Sequence, residues 1–294
     1  MYRPMSRIGQ EKINFSFFIR LWVSLSLYPI RVSGSRKVSV RFIQFDGVMV
    51  LLEMMWGAWV LALLVVFIGS FMQGVVGYGV ALFSAPLLFL INPDLVPAPL
   101  LIIGGLLPLM LLRDNWSFVQ PRDLAFAYPG SALGVLIAAL LVNAFAETSW
   151  QLIFGIAILS AVGLSLMRFT IQPTPAVIFS GALGSGLMGT LTAVGGPPLG
   201  LAYQNAQPGR VRGTLSAIFV PISVLSLTAL GFSGMFGWAD VWLAAGLMPA
   251  VIAGFFAARR LGHRIPAYLF PKIMLLTATL GGGYALVRGL IDLF

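Results

Sequence analysis

Two glycine-rich stretches in apolar surroundings hold the residues of this chain best suited to chemistry. The first reads Gln73-Gly74-Val75-Val76-Gly77-Tyr78-Gly79, the second Gly189-Thr190-Leu191-Thr192-Ala193-Val194-Gly195-Gly196-Pro197-Pro198. Glycines so closely spaced weaken a helix and let backbone groups face a cavity. Proline is well tolerated in the first helical turn, so the second stretch predicts a new helix near Pro197. Such a start carries partial positive charge and free N–H donors, which suit an oxyanion. The first stretch, ending at Gly79, offers a second start facing it. Gln73, Tyr78, Thr190, Thr192, Tyr203 and Gln204 add hydroxyl and amide groups. The candidate binding set is therefore these six with Gly74, Gly77, Gly79, Gly195, Gly196 and Pro197. A lone glycine motif in a membrane helix is more often a packing contact. Two at repeat-related positions, one followed by Pro-Pro, favour a site.

Other chemistries find little support. The chain has no cysteine, which removes disulfides, thiolate catalysis and cysteine-ligated metals, and it has a single histidine. No metal and no cofactor is expected. The acids in predicted spans, Glu53, Asp123 and Asp240, sit near segment ends, where a carboxylate stabilises the helix dipole. Their placement argues against an intramembrane enzyme and against proton relay through buried acids. Arg210 and Arg212 are weak candidates for anion recruitment, since positive-inside topology explains them at least as well. His263, among arginines, reads as a topology residue. A channel stays open as an alternative, because helix ends line pores as well as carrier sites. An intramembrane enzyme is the weaker one.

The elements that position these stretches must be membrane helices. Hydrophobic residues make up 59% of the chain and charged residues 9%, against about a quarter charged in soluble domains. The net charge of +9 reads as topology, because the basic residues cluster before residue 42 and between apolar segments. Nucleic acid is not an expected partner. From Val48 to Ile91 a single helix would be roughly 66 Å long, twice the hydrocarbon core, so the chain must fold back at the first stretch. Further segments are predicted at about 98–112, 122–145, 150–168, 176–192, 196–206, 213–231, 239–258 and 268–290, ten in all with two short. The tryptophans near segment ends suit an interfacial belt.

The sequence also repeats itself. Gly69-Ser70 and Met72-Gln73-Gly74 match Gly184-Ser185 and Leu187-Met188-Gly189, Asp123 matches Asp240, and Pro129 with Gly134 matches Pro249 with Gly254. The expected fold is an all-α polytopic membrane protein of two inverted repeats, about 55–168 and 176–290, with five segments each and short broken helices at a central site. Placing Arg113 and Arg122 inside puts Arg168, Arg210, Arg212, Arg259, Arg260, His263 and Arg264 inside too, leaving loops 93–97, 146–149 and 232–239 outside without Lys or Arg. Residue 50 and Phe294 then fall outside. Residues 1–46 break this pattern and read as a dispensable basic extension, with 47–294 as one transporter domain.

Gly69 to Pro86, and more specifically Ser180 to Pro198, resemble the paired signatures of the TauE/SafE family of sulfite and organosulfonate exporters. The resemblance covers about residues 55–290. It implies a secondary transporter exporting a small anion, such as a sulfur-containing oxyanion or a related organic anion, in a bacterial plasma (inner) membrane. The first copy departs from the family's glycine run with Gly77-Tyr78-Gly79-Val80-Ala81. The partners implied are the small anion and the lipid bilayer, with a homo-oligomer left open.

Overall fold

The computed structural model describes residues 56–144, 150–166, 172–266 and 268–292. The basic extension, residue 50, Glu53, Arg168, the 146–149 loop and Phe294 lie outside the described residues. The described chain forms α1 (Trp56–Val76), α2 (Val80–Ile91), α3 (Ala98–Asn115), α4 (Pro121–Ala144), α5 (Trp150–Leu166), α6 (Pro175–Thr192), α7 (Gly196–Ala202), α8 (Pro208–Phe232), α9 (Trp238–Leu261) and α10 (Leu269–Ile291). Seven helical stretches are long and apolar enough to cross a membrane, while α2 and α5 are shorter apolar helices. This is a helical membrane protein.

Prolines set several starts. Pro121, Pro175 and Pro208 are first residues of their helices, where the missing N–H costs nothing. Thr174 caps α6 by accepting from Val177 N at 3.4 Å. Pro208 explains why α8 begins earlier than the apolar pattern predicts, so Arg210 and Arg212 lie on a helix and not in a loop. The short helix likewise ends sooner, at Ala202.

Lipid offers no hydrophobic drive for helix association, so close backbone approach carries the packing. α4 lies on α6 with Gly134 against the Leu183 carbonyl, where a side chain has no room. α9 lies on α1 in the same manner, Gly254 meeting the Phe67 carbonyl. α3 pairs with α8 and α5 with α10. Between these pairs the largest buried cluster runs through Val66, Leu88, Ile103, Phe154 and Leu247, with Phe89 stacked on Phe154 at 4.4 Å. The ends assigned inside by charge converge: Arg259 of α9 pairs with Asp114 of α3 at 3.4 Å, and Arg210 of α8 with Asp123 of α4 at 2.8 Å. At the opposite ends, Asn143 donates to Ser233 at 3.2 Å.

Candidate functional site

The first break is built by two left-handed glycines. After α1 the Gly77 N–H returns to the Gln73 carbonyl at 2.7 Å, and Gly77 and Gly79 take φ values of 102° and 110°. A β-carbon is strained in that region, which accounts for glycine at both. Gly79 has no side chain with which to cap α2, and Gln73 does so instead: the Val80 N–H donates to Gln73 Oε1 at 2.9 Å. That bond fixes which end of the amide is which. The oxygen is used, and the amide NH2 is the group left to face outward.

The second break closes differently. Ala193 takes φ 63°, uncommon for a residue with a β-carbon, and its N–H donates to Gly189 O at 2.7 Å. Thr192 Oγ1 donates to Met188 O at 2.8 Å and accepts from Val194 N at 3.2 Å. α7 then begins at Gly196, but Pro197 and Pro198 follow at once. Of its first three residues only Gly196 brings an N–H, so the expected donor-rich start belongs to α2, whose Ala81 and Leu82 N–H groups precede the first intrahelical bond.

Both breaks line one cavity of about 40 Å³, to which the first contributes Gln73, Gly79, Val80, Ala81 and Leu82, and the second Gly189, Ala193, Gly195 and Gly196. The two helix starts nearly touch there: a β-carbon on Gly196 would sit 3.7 Å from Gly79 N and 3.1 Å from the Tyr78 ring. α3 and α8 close the cavity with Leu101, Gly104, Phe219, Ile222 and Ser223. Ser223 is 5% exposed, and its hydroxyl has no hydrogen-bond partner among the described residues. Among the described residues no carboxylate lines the cavity. What it presents is an amide NH2, a hydroxyl, backbone N–H groups and the positive end of a helix dipole, in a space holding roughly three waters. Such a set has the donor chemistry that suits a compact anion.

The remaining candidates lie elsewhere. Tyr78 covers Gly196 and Gly200, and with Pro197 and Gln204 it lines a separate cavity of about 80 Å³. Gly74 packs on Ala258 and Gly77 on Arg212. Thr190 Oγ1 reaches Gly186 O at 2.7 Å and Ser226 Oγ at 2.8 Å, and Thr192 serves its own break, since a hydroxyl deep in a membrane helix finds a backbone carbonyl first. Tyr203 donates to Asp123 Oδ2 at 2.8 Å, and Arg210 donates to the same oxygen at 2.8 Å. Asp123 thus ties the end of α7 and the start of α8 to α4. Its sequence counterpart Asp240 is a helix cap, accepting from Gly237 N at 2.8 Å. We expect Asp123→Asn to lower the thermal unfolding temperature in detergent, through a loss of about 1–3 kcal/mol from a charged hydrogen-bonded pair that is partly exposed. An unchanged transition would reduce that pair to a surface contact.

Ser223, Gly104 and Phe219 were not legible beforehand. Nothing in the sequence separates Ser223 from Ser216 or Ser226 on the same helix; only the crossing with α3, where Gly105 would meet the Ser223 side chain at 3.0 Å, aims it at the cavity.

A family model described as sulfite exporter TauE/SafE matches residues 61–285. No curated protein and no solved structure matches the chain.

Proposed function

Since the chain belongs to the sulfite exporter TauE/SafE family, we propose that it is a secondary transporter exporting a small anion, such as sulfite, an organosulfonate or a related organic anion, across a bacterial inner membrane. The observation that carries this reading is the cavity between the two breaks, which offers side-chain and backbone donors and, among the described residues, no carboxylate. The anionic head sits at the start of α2, taking N–H groups of Gln73 and the first α2 turn, the Ser223 hydroxyl and the Gly196 N–H. The mechanism needs binding strong enough to strip water from the anion yet weak enough to release it. Neutral donors supply that balance better than a buried lysine or arginine would, because each neutral bond contributes only about 0.5–1.5 kcal/mol net.

In this reading the two halves are inverted repeats, with the breaks near the bilayer midplane. The packing supports it. α4 on α6 through Gly134 has its counterpart in α9 on α1 through Gly254, while the counterparts α3 and α8, and α5 and α10, pair with each other. Alternating access then amounts to one set of these pairs rocking against the other around the anion.

The test is a flux screen of sulfite, organosulfonates, sulfate and small carboxylates with purified protein in liposomes. Saturable flux of at least one of these anions supports the reading, and flux of none sinks it. Within that assay, Ser223→Ala is expected to raise the apparent KM by about two- to tenfold, the worth of one neutral hydrogen bond, with little change in maximal rate. An unchanged KM would remove Ser223 from the site.

A further inference from the structure

The largest cavity among those described lies outside the central site. It measures about 500 Å³ and opens among the ends of α1, α3, α8 and α9, with Arg212, Arg259, His263 and Asp114 on its walls. All four belong to ends that the loop charges assign to one side. Arg259 pairs with Asp114 at 3.4 Å, a loose contact between half-exposed side chains, and its guanidinium also lies over the Phe255 ring. Arg212 has no such partner: it is half-buried, and no carboxylate pairs with it among the described residues. Its protein acceptor is the Val75 carbonyl, reached by Nε at 3.1 Å and Nη2 at 2.6 Å. That carbonyl is one of the last in α1, so the helix's negative end offsets part of the charge. Among the described residues, the other N–H groups of the guanidinium take no protein acceptor. A partly desolvated cation with donors to spare wants an anion.

The position of Arg212 adds a second point. Gln73 faces the central cavity, whereas Gly74 and Val75, the next residues of the same turn, face the large one. The last turn of α1 is therefore the wall between the two spaces, and Arg212 holds it by its carbonyl and packs against Gly77 at the break. We propose that this vestibule is a second anion site, on the access route to the central cavity, where a sulfonate or other small oxyanion binds Arg212 and Arg259 and competes with the Val75 carbonyl for Arg212. The proposal rests on the anion-transport reading for its direction. A filled vestibule loosens the α1 wall and an empty one holds it. Asp114 keeps Arg259 occupied until an anion displaces it, which limits retention of the anion.

The chain's lack of cysteine makes the test direct. His263→Cys places one thiol in the vestibule of the full-length protein. In detergent, where both faces are reachable, its modification rate is measured with a methanethiosulfonate reagent carrying a sulfonate and with one carrying a trimethylammonium group. Relative to free cysteine, the sulfonate reagent is expected to be favoured about tenfold or more, as focused positive potential does for an anion. The preference should fall to near unity when Arg212→Gln is added to His263→Cys, and excess methanesulfonate should slow modification in His263→Cys but not in that double variant. Equal rates for both reagents, or no protection, would overturn the site. Arg212→Lys separates the wall from the charge: it keeps the preference for sulfonate but loses the two-pronged hold on Val75, so liposome flux should change by severalfold. Parental flux in Arg212→Lys would overturn the competition for Val75. Sulfonate preference without flux of any anion would sink the transport reading and leave the vestibule standing, and flux without the preference would do the reverse.

Discussion

Gln73→Glu is expected to leave the protein folded in the membrane and to abolish anion transport. The substitution keeps the side chain's size and its oxygen, so the Val80 N–H still has an acceptor at 2.9 Å. A carboxylate there is, if anything, a better cap, since negative charge at a helix start gains about 0.3–1 kcal/mol. What changes is the other end of the group. Where the amide presented two donors to the cavity, the carboxylate presents an acceptor and a full negative charge. Two like charges about 4 Å apart at an effective dielectric constant near 20 repel by about 4 kcal/mol, roughly a thousandfold in affinity. Initial rates in liposomes at matched protein density measure the outcome. Parental flux in Gln73→Glu would show that no anion passes the start of α2.

Gly196→Leu acts by volume where the glutamate acts by charge. A β-carbon on Gly196 already comes within 3.1 Å of the Tyr78 ring, and because Gly196 lines the 40 Å³ cavity, a leucine there crowds that space. Tyr78 can shift toward the 80 Å³ space it lines on its other side, so the fold tolerates the change while the anion's place is filled. Flux about a hundredfold or more below the parent is expected, with normal elution on size exclusion; Gly196→Ala, which asks only a small shift of Tyr78, should lose less than tenfold. Parental flux in Gly196→Leu would move the site elsewhere.

The sequence made the helices and both breaks legible for a simple reason. Bilayer thickness limits the length of an apolar run, and glycine and proline mark where a run must end, so Gly77, Gly79, Gly196 and Pro197 announce themselves. Side-chain direction is another matter. Thr190 and Thr192 look like ligand groups beside a break, yet a hydroxyl four residues past a helical carbonyl bonds to it, at 2.7 and 2.8 Å here. Tyr203 and Arg210 look like site residues just beyond a short helix, but they meet Asp123, a residue 80 or more positions away in the chain. Gln73 was a candidate on polarity alone; that its oxygen caps α2 and so turns its NH2 outward follows only from the left-handed turn at Gly77 and Gly79. Ser223 and Gly104 reach the cavity through a crossing of two helices, and no local pattern encodes which face of α8 meets α3. The double proline of α7 carried information that composition obscured: it marks the helix start and also removes two of that start's donors, which leaves α2 as the donor-rich start.

Counterflow tests the central claim most directly. Liposomes carrying the protein are loaded with an unlabelled sulfur oxyanion and diluted into a trace of the labelled one. A carrier whose transport site lies between the breaks predicts transient accumulation of label above equilibrium, an initial rate that saturates with concentration, and loss of both in Gln73→Glu. Label that equilibrates without overshoot, at a rate rising linearly with concentration and unchanged by Gln73→Glu, would contradict it and mark a pore that does not use this cavity.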